Sequence, residues 1–279
     1  MSRNVVLGAG LTGLSAAYHL QQAGSTATVL EKRAAPGGAC RTIARDGFHF
    51  DLTGHLLHLA RPESLDLLGS IGVRRAFRSH RRRAAVALAG TMTPYPIQIN
   101  TYRLPREIRR DCLLGFIEAY RSADARAPNP TFLEWVMSRF GEGFARHFFI
   151  PYNRKLYCTE PSELTAEWVG RYVPRPEIAD VVDGSLGLYR KAVGYNATFL
   201  YPREGGIQAL ADALAGGSPP VRLSCPVRAL RLAARELVLD SGEAVPWDTL
   251  VATAPLSHLA GMAGELPSDV RDAAARLRP

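Results

Sequence analysis

The chain has 279 residues, 47% hydrophobic and 22% charged, the composition of a folded globular protein of one or two domains rather than of a disordered or fibrous chain. Its formal net charge is +8, and only three of its 34 basic residues, Lys32, Lys155 and Lys191, are lysine. No apolar run reaches the roughly 18 residues of a transmembrane helix. Cys40, Cys112, Cys158 and Cys225 show neither C-x-x-C nor metal-ligand spacing, so no metal centre is expected.

Val5-Val6-Leu7 is an apolar run that suits a strand buried on both faces. Gly8-Ala9-Gly10-Leu11-Thr12-Gly13 follows it, and Leu14, Ala17, Tyr18 and Leu20 continue at helical spacing until Gly24. Ala27–Leu30 reads as a second strand, closed by Glu31. In this pattern Gly8 permits the tight turn, Gly10 lets a pyrophosphate approach the backbone, and Gly13 lets helix and strand pack closely. The helix start offers unpaired N–H groups and the positive end of the macrodipole. Glu31, about 20 residues beyond the glycines, can accept both hydroxyls of a ribose. The reading is a dinucleotide site. No targeting segment is expected before the first strand, and with thiols expected to be reduced the expected location is cytoplasmic.

After Lys32 comes Pro36-Gly37-Gly38 with Arg41 three residues on, a backbone that can pass close to a ligand beside a cation that can neutralise it. Phe48–Asp51 reads as a short strand leading into Gly54-His55 and His58, and 62–69 as a short amphipathic helix. Arg78-Ser-His-Arg-Arg-Arg83 is the densest basic run; without an aromatic platform or a nucleic-acid motif it reads as a solvated turn or an interface. A hairpin is expected around Ala89-Gly90, a helix over 104–120 and a loop over 122–130. Thr131 and Glu134 form a capping box for a helix with Phe132, Trp135, Val136 and Phe140 inward, broken at 141–143 and restarting over 144–150. Tyr152, Asn153, Arg154, Lys155 and Tyr157 crowd a proline break at Pro151; rings and cations together suit a wet pocket that holds a phosphate-bearing ligand. A helix over 165–173, a glycine-broken loop over 183–194, a helix over 208–214 and strands at 221–223, 227–232, 236–239 and 250–252 complete the reading, with a helical tail.

G-A-G-x-x-G-L-S-A-A-Y-x-L followed by E-K-x-x-x-x-G-G-x-x-R-T resembles the opening of FAD-dependent amine oxidases, protoporphyrinogen oxidases and UDP-galactopyranose mutases. The resemblance implies FAD as cofactor, held by Gly8, Gly10, Gly13, Glu31, Lys32, Gly38, Arg41 and Gly54, with the Val227 backbone at the adenine. It places His55 near the isoalloxazine. The stretch from Thr131 to Arg175 is similar to the mutases' substrate domain. There Tyr157 takes the place of an aromatic residue, typically tryptophan, that faces the sugar, and Arg175 that of an arginine gripping the substrate diphosphate; Tyr152 and Asn153 would line the pocket. The implied fold class is α/β, a Rossmann-type, GR2-like FAD-binding domain made of 1–75 and 200–279 with a mainly helical substrate or cap domain, 76–199, inserted.

Three functions are open on this reading. The first is an FAD-dependent oxidoreductase that passes hydride from a small organic substrate to flavin, with His55 and Tyr157 at the chemistry. The second is a mutase-like isomerase of sugar nucleotides, and the third a flavin-binding half of a split enzyme, inactive alone. Members of the resembled family run longer, so a second polypeptide or a homodimer partner is expected to complete the flavin site.

Overall fold

The computed structural model describes residues 2–59, 61–122, 130–169, 173, 175–189 and 198–277. The chain divides into two compact units, Met1–His80 with Thr198–Pro279, and Arg81–Ala197. In chain order the elements are β1 (Asn4–Leu7), α1 (Leu11–Gln22), β2 (Ala27–Leu30), β3 (Thr42–Arg45), β4 (Phe48–Asp51), α2 (Pro62–Ser70) and β5 (Phe77–Arg81). Then come β6 (Ala85–Leu88), β7 (Thr91–Pro94), α3 (Arg106–Arg121), α4 (Phe132–Phe144), a π-helical turn (Ala145–Phe149), α5 (Ile150–Tyr157) and α6 (Ile178–Leu186). The chain returns through β8 (Thr198–Pro202), α7 (Gln208–Gly216), β9 (Val221–Arg222), β10 (Val227–Arg231), β11 (Glu236–Leu239), β12 (Ala244–Pro246), β13 (Thr249–Ala252), α8 (Leu256–Met262) and α9 (Ser268–Ala275).

The first unit is the expected α/β domain. Its parallel sheet has the order β13-β1-β2-β9, and every residue of β1 is buried, which is why the strand reads as a continuous apolar run. On one face Leu14 and Ala17 of α1 and Ala211 and Leu214 of α7 pack on Val6, Ala27 and Val29. On the other face Leu230, Leu237, Leu239 and Val245 of the antiparallel β10-β11-β12 meander cover Val5, Leu7 and Leu30. The sheet is thus assembled from both ends of the chain, with β1 and β13 in register from Asn4↔Thr249 to Leu7↔Ala252. The basic run at 78–83 begins inside β5, which pairs with β8, rather than in a turn.

The second unit is mainly helical. Its core is aromatic: Phe116, Phe132, Phe140 and Phe144 are buried with Phe148 and Phe149 around them. Helices α3 and α4 meet backbone to backbone, since a Cβ on Gly143 would lie 2.1 Å from the Asp111 carbonyl oxygen. Gly141 has φ 78° and ψ 172°, the expected break inside α4. The capping box is present, with Thr131 Oγ1 accepting from the Glu134 N–H at 3.2 Å and the Glu134 carboxylate accepting from the Thr131 N–H at 2.8 Å. Thr131→Ala is therefore expected to lower stability by about 1 kcal/mol, readable as a shift in the urea midpoint at unchanged slope.

Three local expectations fail. Pro151 does not break the chain: it occupies the first turn of α5, where its missing N–H costs nothing, so 150–157 is helix. The described part of 165–173 is not helical, because Thr165 bridges Thr131 and the Ala166 N–H donates to the Pro130 carbonyl; 170–172 and 174 lie outside the described residues. The 183–194 loop opens with the end of α6, where Gly184 is required by contact, since a Cβ there would lie 2.3 Å from Ile99 backbone atoms; 190–197 lie outside the described residues.

Candidate functional site

In the first unit the two glycine turns form one surface. The Gly8 N–H donates to the Leu30 carbonyl at 2.8 Å and the Gly37 N–H to the Ala9 carbonyl at 2.7 Å, and Gly10 and Gly37 form a parallel bridge. A Cβ on Gly38 would stand 3.0 Å from the Gly10 Cα, so the backbones leave no room for side chains between them. Helix α1 starts at Gly10 with no side-chain cap and no acid in its first turn. Its leading N–H groups are thereby kept for an anion. Arg41 folds back on this surface, its Nε donating to the Gly38 carbonyl at 3.1 Å.

Glu31 is 7% exposed. Its Oε2 accepts the Ala9 N–H at 2.8 Å and its Oε1 the Arg33 N–H at 3.0 Å. Two of about four lone-pair positions on the carboxylate are used, and both partners are backbone, so a ribose diol can take the others without breaking an ion pair. The strand that would face the adenine is tied to the same corner: the Cys225 N–H donates to the Glu31 carbonyl and the Ser224 N–H to the Arg33 carbonyl, both at 2.9 Å. Val227 follows, half-buried, at a bulge in its pairing with β11. Lys32 is exposed.

Sequence reasoning missed the polar hub next to these turns. Asp51 accepts the Thr42 hydroxyl at 2.6 Å, the Tyr201 hydroxyl at 2.7 Å and the Ile207 N–H at 3.1 Å. Burial alone would raise its pKa, but these three donors and the nearby His55 outweigh it and hold the carboxyl below its usual range. Burial first, then the Asp51 carboxylate, pushes the Tyr201 phenol up to about 12. Gly206, at φ 66°, passes so close that a Cβ would lie 2.4 Å from Thr42 and 2.9 Å from Asp51. The Gln208 N–H donates to Thr42 Oγ1 at 3.0 Å, and its side chain donates to the Pro36 carbonyl at 3.1 Å. The hub so joins the Gly37-Gly38 turn to the Gly205-Gly206 turn. Asp51 at a strand end, three residues before the Gly54-His55 pair, was the available signal. Because the folded pKa is depressed, the group's contribution to stability is fully present above about pH 4 and is lost as pH falls through the lower folded value. Acid melts of Asp51→Asn are expected to lack that part of the acid limb.

His55 sits beside the hub, its Nδ1 4.0 Å from Asp51 Oδ2, and Gly54 is exposed just before it. The bridge between Leu57 and Leu200 pins this loop to β8.

In the second unit α5 carries three of the other four candidates. Tyr152 is exposed and stacks on Phe148 with centroids 5.2 Å apart. Asn153 is buried, and its Nδ2 donates to the Phe149 carbonyl at 2.8 Å. Tyr157 is exposed with its ring edge-on to Trp168 at 5.5 Å; burial, then Tyr152, raises its phenol. Trp168, which stacks on Phe132 at 5.5 Å, was not singled out, although its indole lies against the Tyr157 ring. The Arg175 guanidinium lies over the Tyr120 ring at 4.3 Å and near Phe116 at 5.7 Å, and the Tyr120 hydroxyl donates to Glu177 at 2.7 Å.

A backbone-lined turn, an uncapped helix start and a buried carboxylate held, among the described residues, by backbone amides fit a dinucleotide. Among the described residues no helix is long and apolar enough to cross a membrane. Three known proteins are similar to this chain. Protoporphyrinogen oxidase 2, chloroplastic/mitochondrial, of Arabidopsis thaliana is 38% identical over 72 residues, 26% of this chain and 14% of that one. A crystal structure of reduced UDP-galactopyranose mutase superposes with TM-score 0.89 at 27% identity, covering 100% of this chain and 62% of that one. A putative protoporphyrinogen oxidase from Exiguobacterium sp. 255-15 shares the fold, with TM-score 0.70 at 22% identity over 97% of this chain and 63% of that one. The chain thus spans less than two thirds of each of these proteins. The family described as flavin containing amine oxidoreductase matches residues 11–278, and this chain belongs to that family, with FAD as its cofactor.

Proposed function

We propose that this chain is an FAD-dependent oxidoreductase that takes hydride from a small organic substrate. The observation that carries the reading is the contact of Gly10 with Gly37-Gly38 beside the buried Glu31 carboxylate. Gly8, Gly10, Gly13 and Gly38 present backbone to the diphosphate, Arg41 neutralises it, Glu31 takes the ribose, and Lys32, Gly54 and the Val227 backbone complete the cofactor's surroundings. Bound flavin supplies a two-electron acceptor that no side chain can provide. The protein's part is to place a substrate C–H and to keep water away; His55 and Tyr157 are assigned to that part, with Tyr152, Asn153 and Arg175 holding the substrate. The matching domain assignment is 1–75 with 200–279 for the cofactor and 76–199 for the substrate, supported by the division of the chain after His80 and Ala197. Purified protein is expected to be yellow and to bleach with a substrate while an acceptor is consumed; a colourless protein that takes up no added FAD overturns the reading.

A second reading is a mutase-like isomerase of sugar nucleotides. It is favoured by the 0.89 TM-score to the mutase and by the exposed Tyr157 ring, a flat face on which a sugar can lie. It requires reduced flavin and consumes no acceptor, so an oxygen electrode separates the two. A second polypeptide or homodimer partner beside the flavin belongs to either reading, supported by the open apolar face of the β3–β4 hairpin, where Ile43, Phe48 and Phe50 are 55, 67 and 55% exposed. Light scattering on the yellow protein tests it; a monomer with solvent-shielded FAD overturns it.

A further inference from the structure

The Asp51 carboxylate is 10% exposed. Its Oδ1 takes two donors, the Thr42 hydroxyl and the Ile207 N–H, while among the described residues its Oδ2 takes the Tyr201 hydroxyl alone. The same Oδ2 lies 4.0 Å from His55 Nδ1, a nitrogen shut off from solvent and, among the described residues, without a hydrogen-bond partner. The other ring nitrogen, Nε2, lies 3.3 Å from Thr53 Oγ1. In a neutral imidazole one nitrogen carries the proton and the other a lone pair. A lone pair turned toward a carboxylate away from water is repelled; an N–H in that place is attracted. A proton on Nδ1 leaves Nε2 to accept the Thr53 hydroxyl; that hydroxyl can serve either tautomer, and the carboxylate makes the choice. The alternative sets two acceptors face to face.

We propose that Asp51 is a positioning residue for His55: it holds the neutral imidazole as its Nδ1–H tautomer and makes Nε2 the acceptor. Two further facts keep the carboxylate in that role. Its donors hold it ionised, and Tyr201, with its phenol pushed up to about 12, remains a donor throughout the neutral range. Resting on the reading of His55 as a flavin-side group, the inference adds a direction to it. Once the Thr53 hydroxyl rotates away, His55 Nε2 can accept from an N–H of the cofactor or substrate, and the ring cannot donate to a carbonyl there unless it gains a second proton.

The test is two-bond ¹H–¹⁵N correlation spectroscopy on the ¹⁵N-labelled full chain, with the His55 signals assigned by their loss in His55→Gln. The chain has seven histidines, so this control is sufficient. Wild type is expected to show the Nδ1–H pattern. In Asp51→Asn the amide oxygen must serve the two donors at the Oδ1 position, which leaves the NH₂ group facing His55. The tautomer is then expected to switch to Nε2–H. Tyr201→Phe and Thr42→Val keep the carboxylate and are expected to keep Nδ1–H. A wild-type Nε2–H pattern, or an Nδ1–H pattern unmoved in folded Asp51→Asn, overturns the proposal; if Asp51→Asn does not fold, the wild-type and Tyr201→Phe spectra decide. Titration with FAD separates this inference from the function it rests on. A switch in a chain that takes up no FAD leaves the tautomer argument standing and removes the flavin reading, whereas FAD uptake with a tautomer indifferent to Asp51 does the reverse.

Discussion

Gly13→Ala is expected to cost the first unit about 3 kcal/mol or more, although it adds only a methyl group. An alanine Cβ at this position would lie 1.9 Å from the Gly8 carbonyl oxygen, 3.1 Å from the Gly8 carbonyl carbon and 3.2 Å from Thr253 Oγ1. The first two are backbone atoms of the turn itself and cannot rotate away. Helix α1 would have to lift from β1, and Leu14 and Ala17, both fully buried, would lose their contacts with Val6 and Val29. Each kcal/mol is worth about 2–4 °C in a domain of this size, so the melting temperature should fall by roughly 10 °C. Two controls separate sterics from glycine chemistry in general. Gly69 lies in α2 with nothing within 4 Å of a built Cβ, and alanine there should stabilise by up to about 1 kcal/mol through helix propensity. Gly24 is equally open but has φ +75°, so alanine there should cost about 1–2 kcal/mol from backbone strain alone. A Gly13→Ala melt within 2 °C or so of wild type would show that the helix is not seated on the turn as described.

That position was legible in the sequence because its cause is local: the turn, the helix and the strand it packs on lie within 30 or so residues of one βαβ unit. The same holds for Glu31 at the end of β2 and for the break at Gly141. Asp51 was not legible, because its partners are Thr42, nine residues before it, and Tyr201 and Ile207, 150 and 156 residues after it. An acid closing the strand FHFD just before Gly54-His55 marks a polar position, but nothing local announces that it will bind a turn from the far end of the chain. Pro151 shows the limit of punctuation rules. A proline stops a helix in its interior and starts one at its first turn, and only the preceding π-helical turn decides which applies. Gly184 shows the reverse error: a glycine that suggested a loop lies inside α6 because Ile99 leaves room for no side chain. Trp168 was passed over because attention went to one aromatic position, whereas packing sets a second ring, from 11 residues further on, edge-on to Tyr157.

Glu31→Gln should weaken FAD binding by about 100-fold, close to 3 kcal/mol, while leaving the unit folded. The carboxylate accepts from two backbone N–H groups, Ala9 on Oε2 and Arg33 on Oε1, and an amide can accept from only one of them. Its NH₂ group must then face an N–H, and the turn that carries Ala9 and Gly10 is pushed out of place or left with an unpaired donor, at a cost to stability of about 1–3 kcal/mol. The loss in affinity is separate and larger. Hydrogen bonds from a ribose diol to an ionised acceptor are charge-assisted, worth about 1.5–3 kcal/mol each, and the neutral amide offers at most one ordinary acceptor in their place. Lys32→Ala, one residue away but exposed, should change stability by no more than about 0.5 kcal/mol and so marks the background. Affinity is read by flavin fluorescence quenching well below the melting temperature, where both variants are folded and the two costs do not mix. An arginine or lysine partner for Glu31 would have made the substitution ambiguous, since removing the carboxylate would strand a cation; here both partners are backbone amides, Ala9 in the cofactor turn and Arg33 just past β2. Retention of FAD within about threefold of wild type, under 1 kcal/mol, would mean that the ribose is not at this carboxylate and that the nucleotide takes another path across the glycine turns.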